Sequence, residues 1–136
     1  MSVYLWRYLE NVQNYPGWNI AADRAGTDAL HEALTQLADG FVPTNELSCL
    51  QPGEIVLSVP NNGESPIVAA QVLRLEASSD SSMPTIRELE DVATFSMSRA
   101  VANRLASSLN DPPSIFDTAL LDDPVVWYWG VVPALV

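Results

Sequence analysis

VVWYWG, residues 125–130, is the stretch on which the reading of this fold turns. Every residue from Val125 to Trp129 is apolar or aromatic, and the run stands directly behind the acidic pair Asp122–Asp123 and Pro124. Successive side chains of a strand point to opposite faces. Trp127 and Trp129 would therefore face one side, and Val126 and Tyr128 the other. Both faces come out hydrophobic, which is expected of a strand covered on both sides rather than of an exposed edge. Left flat and open, such a strand would invite aggregation. Helices can supply one cover. The other must come from loops, from residues 131–136, or from a second protein chain.

Working outward, the chain offers two helices for the first cover. Residues 24–38 carry Leu30, Leu34 and Leu37 at helical spacing, a stripe that extends to Phe41. Asp23 stands where an N-cap is needed and Gly40 where a left-handed C-terminal residue is expected. Gly26 is out of place in the first turn, since glycine weakens a helix by up to about 1 kcal/mol against alanine. The second helix is expected over 99–109, with Ser98 as N-cap and Val101, Ala102, Leu105, Ala106 and Leu109 as its apolar stripe. The prolines of "NDPP" (110–113) end it.

Strands are expected at 3–9, where Val3, Leu5, Arg7 and Leu9 alternate with Tyr4, Trp6 and Tyr8, and at 18–23 after the turn "YPGW". "EIVLSV" (54–59) and "IVAAQVLRLEA" (67–77) read as strands separated by a loop containing Asn62–Gly63. Residues 41–53 read as an irregular connection, and the residues that follow "NDPP", 114–124, as a polar stretch. At 85–97 the signals conflict. "TIRE" (85–88) matches a helical capping box, whereas "VATFSM" (92–97) alternates like a strand, and a strand is expected there. This order predicts one α+β domain over residues 1–136, with a mostly antiparallel sheet and two helices packed on one face.

Composition limits the function classes. The chain has 136 residues, 48% hydrophobic and 17% charged, ordinary for a domain with one real core. A single cysteine, Cys49, cannot pair within the chain, so a disulfide scaffold is excluded and a reducing cytoplasm is the expected location. Neither a basic leader with an apolar run nor a membrane-length apolar segment is legible, so no membrane association is expected. Seventeen acids face six bases, all of them arginine, for a formal charge of −11. The complete absence of lysine reads as codon bias of a GC-rich bacterial genome. So negative a surface repels nucleic acid and would steer a basic protein toward it.

Catalytic signatures are missing. The only histidine opens "HEALT" (31–35), and position 35 is threonine where a zinc protease helix needs a second histidine. No spacing pairs His31 with Cys49 as base and nucleophile, and the expectation is that no cofactor and no metal is held. The carboxylates Glu88, Glu90 and Asp91, and Asp117, Asp122 and Asp123, form two groups without the spacing of a calcium loop. What remains is a candidate interface made of Trp127, Tyr128 and Trp129 with Asp122, Asp123, Glu88, Glu90 and Asp91.

Two functional expectations follow. The first is a non-enzymatic protein-interaction protein whose partner is a basic protein, or a second copy of the chain joined through the C-terminal strand. By analogy of size and charge, its concrete form is an immunity-type inhibitor of a basic toxin, or an accessory factor of a bacterial system. The alternative is a small-molecule-binding protein or enzyme with aromatic pocket walls and carboxylates as its polar groups.

Overall fold

The computed structural model describes residues 1–9, 17–53, 66–79, 83–110, 118–122 and 125–131, with backbone alone at 110, 118–122, 125 and 129–131. Among them are nine strands and two helices: β1 (Val3–Tyr8), β2 (Trp18–Ala22), α1 (Arg24–Ala38), β3 (Thr44–Ser48), β4 (Ile67–Ala69), β5 (Val72–Ala77), β6 (Thr85–Leu89), β7 (Val92–Met97), α2 (Arg99–Asn110), β8 (Thr118–Asp122) and β9 (Val125–Val131). The fold is α+β with mostly antiparallel pairing. Its strands are shared between two sheets, a five-stranded sheet in the order β4-β1-β2-β9-β8 and a four-stranded sheet in the order β3-β5-β7-β6. Among the described residues, only β2–β9 and β5–β7 are parallel pairs.

Both helices begin where the capping residues place them, and α1 ends there too. Asp23 Oδ1 accepts from the Gly26 amide at 2.6 Å, and Ser98 Oγ accepts from the Val101 amide at 3.2 Å. Gly40 takes φ +77° after α1, while its amide and that of Phe41 turn back to the carbonyls of Leu37 and Gln36. That reversal corrects the extension of the apolar stripe to Phe41. The chain leaves the helix one residue earlier, so i+4 spacing no longer holds and Phe41 is 78% exposed. Gly26 has a reason that the sequence did not disclose. A Cβ there would stand 2.2 Å from the Ser2 carbonyl oxygen, so β1 and the first turn of α1 approach closely only because no side chain intervenes.

The expected strand at 67–77 is two strands in different sheets. β4 pairs with β1, and β5 with β3 and β7. Between them the Ala70 amide still donates to Leu5 of β1, whereas the amides of Gln71 and Val72 both donate to the Asp91 carbonyl. The chain thus passes from one sheet to the other within two residues. Residues 85–89 are strand β6, hairpinned to β7, and not a capped helix: cross-strand pairing from Thr85–Ser96 to Leu89–Val92 overrides a local capping signal. β3 lies within the stretch read as irregular and β8 within the one read as polar. Both are short strands held by their neighbours, β5 and β9, and neither alternates clearly enough to be seen alone. The expected strand at 54–59 and the turn at Asn62–Gly63 lie outside the described residues.

The main core sits between the sheets and the two helices, which pack on each other. It joins Val3 and Leu5 of β1, Trp18 and Ile20 of β2, Leu30, Leu34 and Leu37 of α1, Leu73 and Leu75 of β5, Phe95 and Met97 of β7, and Leu105 and Leu109 of α2. Val126 and Tyr128 of β9 point into this core. A second apolar cluster occupies the opposite face of the five-stranded sheet: Tyr4, Trp6, Tyr8 and Ala21, with Ile67, Ala69 and Trp127 packed against them. Each sheet therefore has its own character. The five-stranded sheet is apolar on both faces, whereas the four-stranded sheet carries a polar outer face. No helix among the described residues is long and apolar enough to cross a membrane.

Candidate interaction surface

The aromatic run divides as strand alternation requires. Tyr128 is 1% exposed, and its hydroxyl meets Thr27 Oγ1 of α1 at 2.5 Å inside the main core. Burial raises its phenol above the ordinary value. Tyr128 is thus a structural tether between β9 and α1. Trp127 is half-buried on the other face, against the Tyr4–Trp6–Tyr8 cluster, where Trp6 is 0% exposed. Trp129 lies where the β2–β9 register shifts: Ile20 pairs with Tyr128 but Ala22 with Val131, so β9 holds one extra residue there. Its side chain is outside the described residues, as are Asp117 and Asp123, and Asp122 is described only as the backbone partner of Val125.

The carboxylates at 88–91 are brought together at one place, the β6–β7 hairpin. Glu88 accepts from Arg7 Nε of β1 at 2.8 Å, and the Arg7 guanidinium lies 5.9 Å from the centre of the Trp18 ring. Glu88 therefore bridges the two sheets. Glu90 and Asp91 form the two-residue turn and are exposed. Glu90 has φ 56°, the first position of the turn, where glycine is the usual occupant.

Beside this hairpin, on the outer face of the four-stranded sheet, lies a cleft of about 420 Å³ lined by Arg74, Arg87, Glu88, Leu89, Glu90 and Thr94 among others. Its arginines are engaged within the face. Arg74 donates to Glu46 at 2.7 Å, and Arg87 donates to Glu76 at 2.5 Å, while Ser96 also donates to Glu76. Sequence reasoning picked out the acids of this site and missed Arg74, Arg87 and Leu89. No alternation marks Arg87 and Leu89, since "TIREL" reads polar, apolar, polar, polar, apolar; only the pairing with β7 sets them on one face.

The remaining chemistry-bearing residues are placed structurally. His31 is half-buried on α1, and its carbonyl accepts from Thr35. Cys49 is buried in the main core, and burial pushes its thiol up to about 11, far from a nucleophilic thiolate at neutral pH. Among the described residues, no three His, Cys, Asp or Glu side chains group closely enough to hold a metal ion.

No protein-family model matches this chain, and the curated proteins and solved structures compared with it contain no match.

Proposed function

We propose that this protein acts by binding another protein, one with a basic surface, and performs no chemistry on it. The supporting observation is how the charges are distributed. Three of the six arginines are held in ion pairs to carboxylates of the same chain: Arg7 to Glu88, Arg74 to Glu46 and Arg87 to Glu76. A fourth, Arg99, donates to the Ala38 carbonyl and closes the C-terminal end of α1. Asp28, Glu32, Asp39, Glu90 and Asp91 are exposed and have no ion-pair partner among the described residues. Four of the six arginines are thus engaged within the chain, while these five carboxylates stand exposed without an ion-pair partner among the described residues, on a chain of charge −11. Such a field accelerates encounter with a basic partner and repels acidic ones.

Size and charge suggest an immunity-type inhibitor of a basic bacterial toxin, or an accessory factor of a bacterial system, as the concrete form of this reading. The tagged protein, incubated with lysate of its source organism at about 50 mM salt, is expected to retain a basic protein that elutes near 500 mM, where charges are screened within about a few ångströms. Failure to retain any protein, or a saturable change in tryptophan fluorescence with Ca²⁺, a sugar or a nucleotide, would favour a small-molecule site instead.

A further inference from the structure

The four-stranded sheet ends in two edges of different kinds. β3 is flanked by α1, whose Gln36 accepts from Asn45 at 2.8 Å. β6 has no neighbour on its far side among the described residues, and four of its five residues are exposed. Next to a two-residue turn the closing pair, here Leu89–Val92, exchanges hydrogen bonds, and bonded and non-bonded pairs then alternate. The register leaves the backbone N–H and C=O groups of Ile86 and Glu88 directed away from β7.

Free edges are commonly blunted by charged side chains. Here both candidates are already engaged: Arg87 is held by Glu76 at 2.5 Å and Glu88 by Arg7 at 2.8 Å. What the edge presents instead is Leu89, 75% exposed beside the 420 Å³ cleft, followed by the exposed carboxylates of Glu90 and Asp91, which have no ion-pair partner among the described residues. We propose that the free edge of β6 is the docking site of an extended basic segment of the partner protein, which adds to the sheet as a further strand. Main-chain bonds to Ile86 and Glu88 would supply affinity, an apolar side chain would cover Leu89 in the cleft, and cations would meet Glu90 and Asp91. This rests on the basic-partner reading above. A second copy of the chain is the poorer occupant, since each copy carries −11 and antiparallel self-pairing about the middle of β6 sets Arg87 against Arg87.

The probe is a synthetic nonapeptide of alternating arginine and valine, with its glutamate–valine counterpart as control, followed by amide NMR of the full chain. The basic peptide is expected to shift and protect the amides of Ile86 and Glu88, and the acidic one to leave them unchanged. Ile86→Pro removes a donor that faces away from β7, so it should abolish the shifts while the melt shows a folded hairpin. Leu89→Ser, at an exposed position, should weaken the peptide about tenfold without touching the fold. The proposal is overturned if the shifts fall elsewhere, if both peptides act alike, if Leu89→Ser binds as the parent does, or if light scattering shows a dimer that Ile86→Pro dissolves. A basic lysate protein retained equally by the parent and both variants would overturn the docking site and leave the basic-partner reading standing.

Discussion

Arg7 of β1 and Glu88 of β6 meet at 2.8 Å between the two sheets, with the Arg7 guanidinium also close to the face of Trp18. Both side chains are about one third exposed, so the pair is partly screened. A double-mutant cycle in urea should give a coupling of about 0.2–1 kcal/mol, smaller in high salt. Arg7→Ala should cost more than Glu88→Ala, because it also removes packing on Trp18. Equal costs would mean that the ring contact contributes nothing.

The two tryptophans on the back of the five-stranded sheet should differ. Trp6 is fully buried, and Trp6→Ala is expected to cost about 3–5 kcal/mol. Trp127 is only half-buried, and Trp127→Ala should cost clearly less. Thermal melts of the two variants decide the order.

Gly26→Ala is expected to destabilise, although alanine is the better helix former by about 1 kcal/mol. The added methyl would stand 2.2 Å from the Ser2 carbonyl, forcing α1 away from the start of β1. A loss of about 1–3 kcal/mol is expected from such overpacking, and a gain in melting temperature would contradict the close approach.

Asp23 makes stability depend on acid pH. The hydrogen bond from the Ser2 amide, with that from Gly26, holds its carboxyl below the ordinary value of 3.8 despite partial burial. A depressed carboxyl contributes fully above the unfolded value and is lost as pH falls through the folded one. Asp23→Ala should therefore cost about 0.5–2 kcal/mol near neutral pH. The gap to the parent should narrow only below about pH 4. Denaturant melts at several pH values test this; a gap independent of pH would show that the ionised carboxylate is not what caps α1.

Cys49 should be inert in the folded protein. With its thiol raised to about 11 by burial, a thiol-specific disulfide reagent at pH 8 should label it slowly, and rapidly once denaturant is added. Fast labelling without denaturant would place it at the surface.

What depends on neighbours along the chain was legible in the residues themselves. Asp23 and Ser98 cap the starts of α1 and α2 because their side chains reach amides three residues on, and Gly40, two residues beyond Ala38, turns the chain out of α1 in the left-handed conformation. The apolar run at 125–129 likewise announced two-sided burial, and Val126, Tyr128 and Trp127 are distributed between the two faces accordingly. Packing in the folded molecule set everything that depends on partners distant in the chain. It splits 67–77 between sheets at Ala70–Gln71, turns the capping-box residues 85–88 into a strand on β7, and gives Gly26 its purpose through Ser2. It also converts Glu88 from a free surface acid into the partner of Arg7, 81 residues away. The physical reason is that caps and turns are satisfied within a few residues, so their energies are local. Strand pairing, close backbone approach and ion pairs across sheets exist only once distant segments have been brought into contact.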